Sequence, residues 1–387
     1  MIPGVRKYTI WLLVLATLSA AGAIHFQAMQ KERDIATVGS MTAEMKTICV
    51  GRFLIDLPEE AQVELTHSRI HGFDIAAFDE PTAEFQARLT TREQEIKAKP
   101  DRLGGNENLE SVTEITADGG VPGKIFVHTR NVTEGTRARG LELERYRYEG
   151  VAVEALVHAN GTSIDLATED YDPDRIANMA ALVAKLVPNP TNKIPAVPGF
   201  CINRAYFLDP LKADQREQIM MFAKLPSRPD IGFMLILAAG GKPDEEGLLE
   251  RDSAATSRLA LFERMRLTKL RAGERVIGGL SGEEVIKSAN EENDAKVYSF
   301  WWEVNGSKDD VFVPHLVLRM VTGKGKNGPV PSSVSEGAAL GLWNKISSSI
   351  RLRPTVSPAI SEAESAQPPR VPQRTDFVIL AGGTVRK

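Results

Sequence analysis

Two stretches of the chain, CVGRFLIDLP at residues 49–58 and CINRAYFLDP at residues 201–210, share one pattern. Each begins with a cysteine, an aliphatic residue, a variable residue and an arginine. An apolar run follows in both and closes with aspartate and proline. Recurrence of such a pattern far along one chain indicates an internal duplication.

Two later landmarks repeat in the same order. GGVPGK at residues 119–124 matches GGLSGE at residues 278–283, and each unit closes with a helical stretch before a proline, Pro188 or Pro354. From the cysteine to the first glycine is 70 residues in one unit and 77 in the other, and from that glycine to the proline is 69 and 76. We therefore predict two tandem, related units.

The elements within each unit also correspond. Apolar residues recur with helical spacing over 81–97 and over 252–270, and the closing helices fall at 176–186 and 338–350. Strands are predicted at 125–130 and 284–288, then as the pairs 141–148 with 151–158 and 297–304 with 311–321. Glu149-Gly150 is predicted as the tight turn of the first pair. Strands grouped between helices indicate an α+β fold, in which each domain is an antiparallel sheet with helices packed on one face.

These units set the predicted domain boundaries. We assign residues 45–190 to an N-terminal domain and 199–355 to a C-terminal domain. The proline-rich linker 191–198 should be semi-rigid. Residues 25–44 are polar and predicted to be a mobile tether, and the Pro/Ser/Ala/Glu-rich tail 356–387 is predicted to be disordered.

The N-terminus has the features of a targeting segment. Arg6 and Lys7 precede an apolar run from Tyr8 to Ile24, and Ala21-Gly22-Ala23 supplies small residues suited to a signal peptidase. That run is also at the short limit for spanning a bilayer. We predict export, with residues 1–24 as either a cleaved signal peptide or an uncleaved membrane anchor.

Charge and cysteine content restrict the partners. A net charge of -4 argues against a nucleic-acid partner. The only cysteines, Cys49 and Cys201, are too far apart in sequence for a CxxC centre or a zinc motif. They are candidates for a disulfide, which an oxidising compartment would permit.

Three motifs resemble catalytic or binding sites without completing them. GKGKNG at 323–328 has the glycine spacing of a phosphate loop, but the prolines that follow favour a flexible loop over a helix start. Ser281 lies in GLSGE, which lacks the last glycine of a nucleophile elbow, so a turn is favoured. Asp170, Asp172 and Asp174 alternate as in a calcium loop, but the required glycine and glutamate are missing, and a helix cap is favoured.

The remaining candidate residues favour binding over catalysis. His67 and His71 have the spacing of a zinc pair on a helix, but the surrounding residues predict a strand and a turn. Trp301 alternates with an apolar face that includes Tyr298, Phe300 and Trp302, so it points away from the core. It is either packed between domains or part of an interface, where tryptophan is a common anchor. We predict no catalytic residues, no metal and no cofactor.

The two openings at 49–58 and 199–202 onward, preceded by a membrane-directing segment, resemble the immunity proteins paired with type VI secretion phospholipase effectors, in particular the family cognate to the fourth lipase class. The resemblance covers residues 45–355. It implies a periplasmic protein, free or tethered to the inner membrane. Such a protein binds a cognate lipase effector with its two domains and blocks access to the active site. The chain would then not be an enzyme.

Two alternatives remain at this point. One is an envelope-anchored hydrolase that uses Ser281 with a distant histidine such as His315. The other is a structural envelope protein whose domains bind cell-wall or secretion components. Loss of an intrinsic activity on Ser281→Ala would favour the first, and a lipase gene beside this one would argue against the second.

Overall fold

The computed structural model describes residues 25–100, 107–140, 142–210 and 216–355. The helices are α1 (25–41), α2 (Thr82–Ala98), α3 (Ala177–Val183), α4 (Leu248–Arg258), α5 (Leu261–Met265) and α6 (Glu336–Ser347), with 3-10 turns at Ala117–Gly119 and Pro173–Arg175. The strands of the first unit are β1 (Met45–Val50), β2 (Phe53–Pro58), β3 (Gln62–Ile70), β4 (Phe73–Asp79), β5 (Leu109–Ile115), β6 (Gly123–Arg139), β7 (Glu142–Ala159), β8 (Thr162–Tyr171) and β9 (Leu186–Pro188). Those of the second are β10 (Gly199–Ile202), β11 (Ala205–Leu208), β12 (Glu217–Leu225), β13 (Arg228–Ala239), β14 (Leu267–Ile277), β15 (Leu280–Asn290), β16 (Lys296–Val304), β17 (His315–Thr322), β18 (Lys324–Gly325), β19 (Gly328–Pro329) and β20 (Arg351–Leu352).

Both units contribute to one antiparallel sheet of 12 strands, in the order β14-β15-β16-β17-β13-β12-β3-β4-β8-β7-β6-β5. The order is the same when read from either edge to the centre, with β14 matching β5, β15 matching β6, and so on to β12 and β3. The predicted α+β class with two tandem related domains is thus confirmed. The structure adds that β3 pairs with β12, for example Leu65 opposite Met221, so that the two half-sheets are continuous.

Each unit also exchanges a strand with the other. The opening hairpin β1–β2 of the first unit takes β20 as its third strand, from the end of the second unit. The opening hairpin β10–β11 of the second unit takes β9, from the end of the first unit. Each small sheet therefore contains residues from both domains, so neither domain completes its own small sheet.

The two openings meet where these small sheets touch. Cys49 and Cys201 form a disulfide with their Cα atoms 6.0 Å apart. Gly51 exchanges two backbone hydrogen bonds with Cys201, with N···O distances of 3.0 and 2.8 Å. Beside them, the buried guanidinium of Arg52 donates to both carboxylate oxygens of Asp209 and of Glu217 at 2.7–2.9 Å. A covalent bond and a buried ion-pair triad thus join the domains.

Helices lie on both faces of the large sheet, where one face was predicted. The inner face carries the main core, to which α3 contributes Met179 and Leu182 and α6 contributes Leu342 and Trp343. The outer face carries α2, whose Phe85, Leu89 and Ile96 pack on Leu109, Phe126 and Leu156. The strands β6 and β7 thus have apolar side chains on both faces, and this second apolar surface is what α2 packs on.

The first prediction to be corrected is the turn at Glu149-Gly150. β7 runs without interruption from Glu142 to Ala159 and pairs with β6 along its length, Gly150 lying opposite Asn131. The chain reverses instead next to Gly140, whose φ of 66° suits glycine. The side chain of Asp170 fills the space that a Cβ of residue 150 would occupy, so a larger residue there would displace it.

The second correction concerns the helix predicted over 252–270. Leu259 and Ala260 are extended and separate α4 from the short α5, and the strand β14 begins at Leu267. The pairing of β14 with β15 outweighs the helical spacing of the sequence. Leu261, Phe262 and Met265, which belong to the apolar set of the predicted helix, are 63–76% exposed.

The third correction concerns the tether. Residues 25–41 are helical, and Val38 and Met41 pack against the core. The hydroxyl of Ser335, at the start of α6, donates to Asp34. Mobility was predicted because this segment contains few apolar residues. Two of these, Val38 and Met41, are three positions apart and therefore lie on the helix face that contacts the core.

The linker is held by several hydrogen bonds, among them those that join the Asn192 side chain to Asn203 and to the backbone N–H of Arg204. The buried Arg353 donates to the backbone carbonyls of Pro195, Val197 and Gly199 at 2.5–2.7 Å. The targeting segment 1–24 and the tail 356–387 lie outside the described residues. Within the described part of the chain, no helix combines the length and apolar character needed to cross a membrane.

Candidate functional site

Within the described ranges, no helix covers the centre of the outer face of the large sheet. α2 lies over the strands of the first unit, where Arg92 donates to Glu154 on β7. α4 lies over the second unit, where Arg251 contacts Glu303 on β16 and the backbone N–H of Leu249 donates to Glu283 on β15. The strands between the helices, β3, β12, β13 and β17, form a surface that we call the saddle.

A row of side chains crosses the saddle. Glu64, Phe222, Met234 and Arg319 are successive cross-strand partners, and Trp301 on β16 is the next partner of Arg319. Directly opposed residues on one face of a sheet are in side-chain contact distance. The row therefore leads from the centre of the sheet to the tryptophan predicted as a candidate interface residue.

The saddle contains a cavity of about 1160 Å³, lined by Phe222, Met234, Val321 and Val330 together with Lys224 and Lys324. Phe222 is 39% exposed, which is unusual for a large apolar side chain in the middle of a sheet. An open apolar cavity at the junction of two domains is a preferred place for a ligand or partner to bind.

The charged side chains that line the saddle cavity are mainly positive. Lys224, Arg319, Lys324 and Lys326 line the cavity, with Glu64 as the exposed carboxylate. The other carboxylate, Asp230, is buried and accepts backbone hydrogen bonds from Gly323 and Ser333 at 3.1 and 3.0 Å. Burial alone would raise the pKa of Asp230, but hydrogen bonding by the Ser333 side chain and by these backbone groups keeps that pKa below its usual range. The saddle is therefore suited to an apolar partner segment that carries negative charge.

Trp301 lies at the border of this surface, half-buried. The guanidinium of Arg319 is 4.2 Å from its ring centroid and that of Arg251 is 6.0 Å away. Its indole N–H donates to Glu303 at 3.0 Å. As predicted, its neighbours Phe300 and Trp302 point into the core. The interface role of Trp301 stays a prediction.

The buried polar groups under α2 fix the helix to the sheet. Arg88 donates to Glu80 and Asp165, and Glu154 accepts from Arg92 and from His128. Burial would raise the pKa of Glu154, but the hydrogen bonds from His128 and Arg92 lower it to about 2. These charges are satisfied internally, which indicates a structural role.

The motifs with catalytic resemblance do not assemble. Ser281 is exposed near the start of β15, with Val276 as its Cα partner, and the turn is at Gly278-Gly279. His315 lies instead beside Glu303, with 3.4 Å between Nε2 and Oε1. The glycine-rich stretch 323–328 forms the hairpin β18–β19, without the helix that phosphate binding requires.

The metal-like patterns have structural explanations. Asp172 accepts from the backbone N–H of Asp174 and caps the 3-10 turn that Pro173 begins. His67 lies in β3 and His71 in the following turn, as the sequence predicted.

The structure also contains one group of potential metal ligands that the sequence did not indicate. In this group, ligand atoms of Asp244, Glu303 and His315 lie within 4.8 Å of one another. Contacts from Arg251 and Trp301 already engage both oxygens of Glu303, so an ion pair accounts for this group.

The saddle residues themselves were missed by sequence reasoning. The available signal is in β12 and β13, where Met220, Phe222, Met234 and Ile236 alternate with the buried residues, so that both faces are apolar. A strand that is apolar on both faces indicates a second contact surface.

Comparison of the structure with solved structures gives similarities that cover about four fifths of this chain. The crystal structure of the Tle4–Tli4 complex contains a chain that matches with a TM-score of 0.67 and 24% identity, covering 81% of this chain and 99% of that one. The immunity protein TplEi of the Pseudomonas aeruginosa type VI secretion system matches in complex with an "L" peptide, with a TM-score of 0.64, 24% identity and coverage of 80% and 99%. Its apo structure matches with a TM-score of 0.65, 24% identity and coverage of 81% and 98%.

A search of curated protein sequences gave no match. Family models match both units: the Tle cognate immunity protein 4 N-terminal domain over residues 46–185, and the C-terminal domain over residues 193–355. The two matches account for most of the described chain, in the order that the duplication predicts. The chain belongs to the Tle cognate immunity protein 4 family, the immunity proteins of type VI secretion lipase effectors.

Proposed function

We propose that this protein binds one cognate lipase effector in the periplasm and covers the entrance to its active site, with the saddle as the main contact surface. The observation that carries the proposal is the open apolar cavity at the domain junction, bordered by Lys224, Arg319 and Lys324, on a chain whose family is that of lipase immunity proteins. Because such proteins act by binding and are not enzymes, the hydrolase alternative with Ser281 and His315 is wrong.

The chemistry of a lipase supports this assignment. A lipase has to present an apolar surface to reach its substrate, and exposed apolar surfaces of that kind are favourable targets for a tight interface. The saddle offers Phe222 and Met234 as apolar contacts and lysines at the border. These cations would increase the rate of association with an acidic partner.

The periplasmic location is part of the same proposal. Arg6, Lys7 and the apolar run to Ile24 have the composition of an export signal or anchor. The Cys49–Cys201 disulfide is compatible with an oxidising compartment. Fusion of residues 1–44 to a reporter that is active only in the periplasm tests location, and fractionation of the full chain distinguishes a soluble protein from an anchored one.

The direct test is a titration of the purified lipase encoded beside this gene with residues 25–355, recording binding and lipid hydrolysis together. We expect one-to-one binding and loss of hydrolysis at equivalence. Phe222→Asp should weaken binding by about tenfold or more, since it places a charge at the centre of the contact. Ile35→Asp, at a 63% exposed apolar residue on α1, is the matched control and should bind like wild type. A folded wild-type protein that leaves the lipase active would disprove the proposal.

A further inference from the structure

The duplicated fold has one large feature in the first unit that extends beyond the sheet. β6 and β7 continue to pair from Asn131 opposite Gly150 to Arg139 opposite Glu142, which makes nine pairs. β5 pairs with β6 only as far as His128, and β8 pairs with β7 only from Val151. Among the described residues, 131–139 and 142–150 therefore form a two-stranded extension, which we call the ribbon.

The second unit shows that the fold does not need the ribbon. The equivalent hairpin there, β15–β16, has strands of 11 and 9 residues, against 17 and 18 in β6 and β7. Both units nevertheless contribute the same six-strand order to the sheet. The ribbon is an addition to a complete fold, which indicates a function other than stability.

The ribbon is long and exposed. Nine pairs extend over about 30 Å at the usual rise of a strand. Leu143 near the tip is 77% exposed and Tyr148 is 54% exposed. Because a two-stranded ribbon has no core of its own and is only marginally stable in water, contacts with a partner would stabilise its conformation.

The charges of the ribbon are balanced and largely paired within it. Residues 131–150 contain four arginines and four glutamates, a net charge of zero. Arg137 pairs with Glu144, and Arg147 pairs with Glu134 and Glu149, at 3.0–3.1 Å. The ribbon therefore differs from the saddle, whose exposed charges are mostly basic.

One face of the ribbon carries side chains typical of interface centres. Tyr146 and Tyr148 lie on the same side of β7 with ring centroids 5.3 Å apart, and Arg137 donates to the Tyr148 hydroxyl at 3.0 Å. Tyrosine and arginine are the types that most often dominate binding energy. By strand alternation, this face continues the one on which Glu154 and Leu156 meet α2, the outer face that also carries the saddle.

We propose that the tyrosine face of the ribbon binds the apolar rim of the lipase active-site entrance, next to the protruding apolar segment at that entrance that the saddle covers. The inference rests on the proposed function. A projecting ribbon fits a concave entrance, whereas the concave saddle requires a convex partner. With zero net charge, the ribbon suits an apolar, uncharged surface better than a strongly acidic one.

A shortened variant tests the ribbon without disturbing the fold. Thr133 and Tyr148 are directly opposite, so replacing residues 134–147 by Asn-Gly closes the hairpin with a two-residue turn. Its melting temperature should stay close to that of wild type, because the sheet and core are unchanged. Its Kd for the lipase should rise by about tenfold or more, as on loss of an interface centre.

Point variants assign the effect to one face. Tyr146→Ala with Tyr148→Ala should reproduce most of the loss. Val132→Ala with Thr136→Ala, on the opposite face of the ribbon, is the matched control and should stay within about twofold of wild type. An equal loss in both double variants would overturn the assignment to the tyrosine face.

Blocking the lipase entrance with a ligand tests whether the ribbon binds there. A lipase preloaded with a non-hydrolysable long-chain phospholipid analogue should bind wild type about tenfold more weakly, and should bind the shortened variant with unchanged Kd. Equal binding of wild type to free and loaded lipase would overturn the inference, as would a shortened variant that binds like wild type. In either case, if the wild-type protein still inhibits the free lipase, the proposed function stands. Failure of the wild-type protein to bind the free lipase would overturn both the proposed function and the role of the ribbon.

Discussion

Cys49 and Cys201 occupy equivalent positions in the two units and are bonded to each other, with Cα atoms 6.0 Å apart. The duplication thus placed one cysteine in each opening hairpin, and the fold brings the two hairpins together. The disulfide joins the domains at the point where the backbones of Gly51 and Cys201 also exchange hydrogen bonds.

The first prediction concerns this bond. Replacement of both cysteines by serine should lower the free energy of unfolding by about 3–5 kcal/mol, because the loop that the disulfide closes is long. Urea unfolding of the variant and of wild type, followed by circular dichroism, measures the difference. Addition of a reductant should destabilise wild type and leave the variant unchanged. Equal midpoints for oxidised wild type and the variant would contradict the prediction.

The second prediction concerns the buried triad. Arg52→Ala removes the partner of Glu217, which is 2% exposed, and should cost about 3–5 kcal/mol of unfolding free energy because a buried charge loses its compensation. Arg69→Ala is the matched control, since Arg69 and Asp74 form an exposed pair that should contribute less than about 1 kcal/mol. Similar midpoints for the two variants in chemical denaturation would refute the role given to the triad.

The third prediction is a pH dependence. Because the folded-state pKa of Glu154 is about 2, below the ordinary glutamate value, its contribution is present above pH 5 and is lost as the pH falls towards 2. That contribution is at most about 3 kcal/mol for a shift of this size. Unfolding free energies measured between pH 7 and pH 3 should fall less steeply for Glu154→Gln than for wild type. Parallel curves would show that another group controls acid sensitivity.

The fourth prediction concerns the exchanged strand. A chain that ends at Ile350 lacks β20 and Arg353, so β1–β2 loses its third strand and the linker loses the hydrogen bonds that Arg353 donates. We expect a strongly lowered melting temperature and faster proteolysis in both domains. A chain that ends at Thr355 keeps these contacts and should melt like the full-length protein, which a thermal scan of the two truncations would decide.

Much of this fold could be predicted from recurring landmarks. The two cysteine openings and the two glycine turns identified the duplication, because each repeats at a similar interval. The helix at 82–98 followed from the spacing of Phe85, Leu89 and Ile96, all of which are buried. These features are local and are determined by periodicity and turn chemistry.

The rest depends on contacts between distant residues. β20 consists of Arg351 and Leu352 alone, and two residues carry no strand signal. The glycine at 150 predicts a turn because glycine serves both in turns and where another group approaches closely, and the pairing of Gly150 with Asn131 and the nearby Asp170 side chain show the second use. The saddle was missed for a related reason, since Phe222 looks like a core residue until the gap between α2 and α4 is known.

The exchanged strands also set an order of events during synthesis. β1–β2 is among the first parts of the described fold to leave the ribosome, yet its partner β20 is made some three hundred residues later. Domains generally fold as they emerge from the N-terminal end. Here the first hairpin has to wait with an unpaired edge until the C-terminal strand arrives. The sheet of β1 and β2 is therefore complete only after residues 351 and 352 have been synthesised. A chain that stalls before residue 351 leaves the edge of β2 open to chaperones and proteases.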